Sequence, residues 1–323
     1  MATGFDARVA VSTAEVTYGT RVAPTRFMPL TAEDLGFTIN RYTSPAIGTG
    51  AWGRPSIVTT KVGAGSISGD VPTVGFGFLL NYLNGNTNTP VQDGATTSYA
   101  TTFTLDTLGS KSFTTQVQNP PVTSATLVPH DMLGVMAQGI TFNWAAGGVL
   151  SYSMPVVYQN LDTAQSLVSY VAPAAYDLFS FTGGSITIGG VLETNIIGDG
   201  SIEIGYPLRD DAFALGSGGL IAKPVLADKP TASGSFTADF NDNTNLTRTL
   251  NNTSADVVMK FEGAVIASSF KYTLQVTLPD CVFTTGRATV GGPGPVQQSV
   301  AFQAASSTAD VPTILHRSTG ATL

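Results

Sequence analysis

Apolar and polar positions alternate with period two along most of the chain. Phe37-Thr38-Ile39-Asn40-Arg41 shows the alternation cleanly, and 64–71 resumes it after the β-rich stretch 56–62. Such a pattern predicts half-buried strands. The period then changes. Phe76, Leu79, Leu80 and Leu83 recur at helical spacing and Gly85 follows as a stop, which predicts a helix over 74–84. Residues 86–98 read as a turn-rich loop, and 101–105 and 112–118 as strands. Segments 138–145 and 149–155 flank Ala146-Gly147-Gly148, a hairpin signal. Residues 1–30 read as an arm, because Tyr18-Gly19-Thr20, Pro24 and Pro29 favour turns over a regular element.

The second half repeats this order at an offset of 165. Phe37-Thr38-Ile39-Asn40-Arg41 falls on Ile202-Glu203-Ile204-Gly205-Tyr206, and the Gly-rich excursion 43–55 falls on 208–220. A weak helix over 243–251, with Leu246 and Leu250 at i, i+4, stands near the position of the first. Each half ends in a long hairpin, 138–155 in one and 270–279 with 296–304 in the other. The expected class is all-β with minor helix, arranged as two tandem barrel or sandwich domains, 31–165 and 166–310. The arm 1–30 precedes them and a tail, 311–323, follows. A single large irregular sandwich is the alternative.

Composition narrows the class. Charged residues make up 11% of the chain, against roughly 25% in ordinary globular proteins. There are 15 Lys plus Arg and 22 Asp plus Glu, a net charge of −7. The charge shortage argues against a helical bundle, and the absence of a basic stripe argues against a reader of nucleic acid. With one cysteine, Cys281, no intrachain disulfide forms. The N-terminus lacks a signal-peptide pattern and no window suits a membrane helix, so synthesis and folding in a cytoplasm are expected.

The search for chemistry returns little. His130 and His316 are far apart in sequence and Cys281 has no nearby His, so no metal or cofactor is expected. No G-x-S-x-G elbow occurs, and Asp280-Cys281-Val282-Phe283 reads as a strand end with a small buried residue. Asp210-Asp211 reads as a solvated turn rather than an acid–base pair. Gly63-Ala64-Gly65-Ser66-Ile67-Ser68 leads into a strand, whereas a phosphate loop must open a helix. Trp52 and Tyr99 suit a sugar or a protein interface. An enzyme is not expected. A β-rich chain with an arm and long excursions instead suits an assembly in which sheet edges meet other subunits.

The run 13–20, Thr-Ala-Glu-Val-Thr-Tyr-Gly-Thr, followed by 24–30, Pro-Thr-Arg-Phe-Met-Pro-Leu, resembles the opening of major tail tube proteins of long, non-contractile-tailed bacteriophages. The order that follows is similar too: a strand, a long loop, a Gly-Ser-rich strand, a helix, and late in the chain a strand closing on Leu278-Pro279. The resemblance implies a virion tail protein whose strands join a shared barrel on assembly. Its rings would be homotrimers with pseudo-sixfold symmetry or homohexamers, stacked into a tube. The implied partners are further copies of the chain, a tape-measure protein, and tail terminator and tip proteins. DNA would pass without specific binding, and no membrane is involved. It also implies ring-to-ring contacts in the excursions, with Trp52, Arg54, Asp210, Asp211 and Phe213 as candidates. Tyr18 and Phe27 are candidates for contact between the arm and a neighbour. Asp70, Glu203 and Asp239 are candidate lumen acids. The competing readings are a capsid decoration or fibre/adhesin protein and, more distantly, a carbohydrate-binding β-domain.

Overall fold

The computed structural model describes residues 3–46, 52, 54–105, 111–124, 126–173, 176–305 and 310–323. The first half contains β1 (Arg8–Ala14), β2 (Arg26–Met28), β3 (Ala32–Glu33), β4 (Gly36–Tyr42), β5 (Ile57–Asp70), α1 (Gly77–Leu80), β6 (Val91–Gln92) and β7 (Tyr99–Thr104). It continues with β8 (Phe113–Asn119), β9 (Val128–Ala137), β10 (Gly139–Trp144), β11 (Ser151–Tyr158) and β12 (Asn160–Asp162). The second half contains β13 (Gly184–Ile188), β14 (Val191–Leu192), β15 (Ile196–Gly205), β16 (Thr231–Asp239), α2 (Thr244–Leu250) and β17 (Ala255–Ala267). The chain then runs through β18 (Phe270–Thr285), β19 (Ala288–Thr289), β20 (Gln297–Ala304) and β21 (Thr313–Ser318). The fold is therefore all-β with minor helix, and its strand ladders are antiparallel.

One layer of the first half runs β2–β1–β8–β9–β12. In the second half β14–β13–β17–β18–β21 follows the same succession. The facing layer runs β4–β5–β11–β10 in the first half. Its second-half counterpart is β15–β16–β20–β18, where β18 takes part through its C-terminal end. Two ladders tie the halves together. Residues 139–144 of β10 run antiparallel to 205–200 of β15, and β7 pairs with β21. Apolar side chains from both layers and both halves fill one continuous core, from Ile67 and Phe142 to Ile204, Phe236 and Phe302.

The residues explain why the backbones approach so closely at the junction. Gly200 lies beneath the Trp144 ring, where a Cβ would collide with the indole. Gly139 has φ +150° and sits on the Ile204 carbonyl, so only glycine lets β10 leave β9 and meet β15.

Several expectations change. The helix over 74–84 is reduced to the four residues of α1, flanked by turns closed by i to i+3 bonds such as Leu79 to Phe76 at 3.0 Å. Gly75, at φ +83°, starts the turn, and Gly77 adds little helix propensity. The periodicity was nonetheless a true burial signal, since Phe76, Leu79, Leu80 and Leu83 are all fully buried. Segment 270–279 pairs with β17 and β21, and only 281–285 pairs with β20. Residues 1–30 hold β1 and β2, and β1 lies between β2 and β8 with Ala10 completely buried. They form a wall of this chain's own sheet.

Candidate functional site

The layer running from β5 to β20 has two faces of opposite character. Ile67, Met154, Phe142, Ile204, Phe236 and Phe302 point into the core. The intervening residues point the other way and line up in rows across six strands. One row is Ser68, Ser153, Thr141, Glu203, Ser233, Gln303. The next is Asp70, Ser151, Asn143, Ser201, Ser235, Ala301. Further along, Thr237 stands beside Ser299 and Asp239 beside Gln297. The face is a lawn of small neutral groups, and Ser68 Oγ donates to Ser153 Oγ at 3.2 Å across a ladder.

All three candidate acids, Asp70, Glu203 and Asp239, fall on this face. Among the described residues none of them is in an ion pair, and these rows contain no Lys or Arg. Several of the cations are engaged elsewhere. Arg21 binds buried Asp131 at 2.6 Å, Arg317 binds Asp93 at 2.8 Å, and Lys260 and Lys271 share Glu262. Arg26 lies over the Phe78 ring and Arg8 over Tyr170. A mobile polyanion passing the Ser-rich face would meet a net negative field and no cation to grip phosphate.

Asp199, which the sequence reading missed, opens onto the same groove as Asn143, Ser151 and Ser235. The signal for this face was present in the chain. Ser66-Ile67-Ser68-Gly69-Asp70 and Ser235-Phe236-Thr237-Ala238-Asp239 share a small-polar alternation ending in Asp.

The second excursion folds back onto the first half. Leu208 and Ile221 are buried with Met136 and Val157, and Tyr18 and Val62 pack against them. Lys61 N donates to Gly219 O at 2.7 Å and Gln159 Nε2 to Ile221 O at 3.0 Å. Asp210 and Asp211 lie exposed in this loop, and the Arg209 guanidinium, 2.7 Å away, holds the Asp211 carboxyl below the usual carboxylate range. Phe213 forms a bridge to Ile221. Trp52 is 89% exposed and Arg54 is exposed as well. Residues 47–51 and 53 of the first excursion lie outside the described residues. No hydrogen bond or ion pair among the described residues joins Trp52 or Arg54 to the second excursion.

Both candidate arm contacts pack within this chain, Phe27 buried and Tyr18 half-buried. Phe27 packs edge-on against Tyr170, with ring centroids 4.9 Å apart. Tyr18 packs over Gly134 and Gln159, and burial, with the Glu15 charge adding, raises its phenol well above the usual range. Glu15 itself accepts bonds from Thr114 Oγ1, Ser112 Oγ and the Gly134 and Gly19 amides. This cluster ties the N-terminal segment to β8 and β9.

Burial pushes the Cys281 thiol up to about 12, and burial lowers His316 to about 4 against an opposing bond from the Thr73 backbone. His130 is bonded to Asn119 Nδ2 at 2.8 Å. Among the described residues no group of three potential ligands is placed to hold a metal ion, and no helix is long and apolar enough to cross a membrane. A family model described as phage tail tube protein matches residues 4–304. No curated protein matches the chain.

Proposed function

The chain belongs to the phage tail tube protein family, and from that premise we propose that it polymerises as stacked rings into the hollow conduit for genome delivery. It is a structural component of the virion tail. The observation that carries the finer reading is the face bearing Asp70, Glu203 and Asp239, which has small neutral side chains between its acids and no cation in its rows. Such a face suits a lumen wall. Phosphate finds no counterion to displace and bind, so DNA slides rather than sticks. During assembly the same wall would surround a tape-measure protein, and terminator and tip proteins would close the ends.

The ring is a homotrimer with pseudo-sixfold symmetry in this reading. Two domains, 31–165 and 166–310, act as near-equivalent units, so three chains supply six. The recurrence of the ladder succession supports that division. The family's structural role also supports a protein without catalytic activity. Negative-stain microscopy of the purified chain tests the reading: hollow cylinders or stacked rings are expected. A monomer that never assembles and instead binds glycans would overturn it in favour of a carbohydrate-binding domain.

A further inference from the structure

The halves are joined along two lines, one in each layer. In the layer with the Ser-rich face the joint is the β10–β15 ladder, and the second excursion reinforces it by burying Leu208 and Ile221 with Met136 and Val157. In the other layer the joint is the β7–β21 ladder, where 99–104 run antiparallel to 318–313. β21 pairs on its other side with 273–277 of β18, so it is an inner strand of the second half whose outer neighbour comes from the first. Stacked layers lie about 10 Å apart. Two ladders so separated oppose a hinge rotation that either alone would permit.

The outer joint is secured at both ends and beneath. At one end Leu105 N donates to Pro312 O at 3.0 Å. At the other, Asp93 accepts from Ser98 Oγ and from Arg317 Nε, each at 2.8 Å, and the Arg317 guanidinium lies over the Phe270 ring at the start of β18. Beneath it, Phe76 packs on Phe142 and Tyr152 of one layer and on His316 of the other. Gly77 comes so close to β21 that a Cβ there would lie 3.2 Å from His316 Nδ1.

The duplicated pattern is broken at this place. Residues 81–112 connect α1 to β8 and hold β6 and β7, whereas only 251–254 connect α2 to β17. β12, which has the position of β21 in its own half, pairs with β9 alone among the described residues. The hairpin is thus an addition to one half that reaches the other.

We propose that the β6–β7 hairpin and β21 form a clasp that fixes the angle between the halves, making the chain one rigid unit rather than two units on a hinge. Its consequence rests on the tail-tube reading: in a ring, that angle sets the curvature each chain contributes.

The test is the distance between spin labels on Val122→Cys and Leu250→Cys, both well exposed and one in each half, measured by pulsed electron resonance on the free full-length chain. The native Cys281 is buried and stays unlabelled. The clasp is loosened by Asp93→Ala with Thr102→Gly and Thr104→Gly, since glycine weakens a strand and neither threonine is buried. The parent should give one narrow distance and the loosened chain a distribution at least twice as wide. A folded loosened chain with the parent's width would overturn the clasp. If the triple variant loses cooperative unfolding, Asp93→Ala alone is measured; a smaller broadening is expected, and an unchanged width would again overturn it. Thr102→Cys with Leu315→Cys, opposed across the ladder, locks the clasp on oxidation within one chain. Locked chains should form tubes of the parent's diameter, and locked, folded chains that form none would show that the clasp opens on assembly. A parent chain that forms no rings or tubes sinks the tail-tube reading, while the distances in the free chain still decide the clasp.

Discussion

The two long hairpins of this chain have the same place in their sheets and opposite surroundings. Between β15 and β16, the excursion returns to the first half, buries Leu208 and Ile221, and leaves β15 zipped to β10. Between β4 and β5, Tyr42 and Ile57 stay exposed, and among the described residues no strand pairs with the outer edge of β4. The helices differ in the other direction. α1 is wholly buried, with the Tyr82 hydroxyl donating to Ser12 O at 2.7 Å and Arg26 over Phe78, whereas α2 buries only Asn245. The termini have been used to finish the first half, and the first half finishes one side of the second. Among the described residues, the outer edge of β4 and the 282–285 end of β18 have no strand partner on their free sides.

Removing residues 1–30 is expected to have the largest effect. It deletes β1, which covers β8, and Arg21, the ion partner of buried Asp131. Loss of such a partner from a buried charge alone costs about 3–5 kcal/mol, so the truncated chain should be aggregated or molten. A soluble product with a sharp thermal transition would show that the first half stands without its wall. Next is Phe76→Ala, expected to cost about 3–5 kcal/mol in urea unfolding because the ring is fully buried against Phe142 and Tyr152. The matching change in α2, Leu250→Ala, removes a side chain that is 75% exposed and should alter stability by less than about 0.5 kcal/mol. Equal effects at the two positions would erase the contrast between the helices.

The pH response is intermediate in size. His316 is held neutral down to about 4, whereas an unfolded histidine takes up its proton near pH 6.5. Its contribution is complete above that value and is lost as pH falls from about 6.5 towards 4, by up to about 3 kcal/mol. A His316→Gln variant should lose that part of the pH slope. Smallest for the fold is Glu203→Lys on the Ser-rich face, which should leave unfolding within about 0.5 kcal/mol. In tubes it should create DNA retention that falls steeply with added salt. Retention unchanged from the parent chain would argue that the face lies away from the passing polyanion.

The local signals in the sequence carried much of the fold. Period two marked the strands of β4–β5 and β10–β11, and helical spacing found a turn whose apolar residues are fully buried. Both are read from neighbours within a few residues. The arm was misread because Val9-Ala10-Val11 is too short a run to declare a strand, and its burial comes from β8, about a hundred residues away. β18 was cut short for a related reason, since one continuous strand serves both layers and changes partners near Cys281. The three acids were legible as residues on strands but not as occupants of one face. That required the register linking Glu203 to Thr141 and Ser233, with Asp70 and Asp239 near opposite ends of the same layer.

The central claim is that one chain supplies two near-equivalent units of a ring. A reconstruction of the tube by electron microscopy, with chains counted per ring, tests it most directly. Three chains per ring are expected, with threefold symmetry that looks sixfold at low detail. Six identical chains per ring under true sixfold symmetry would contradict it.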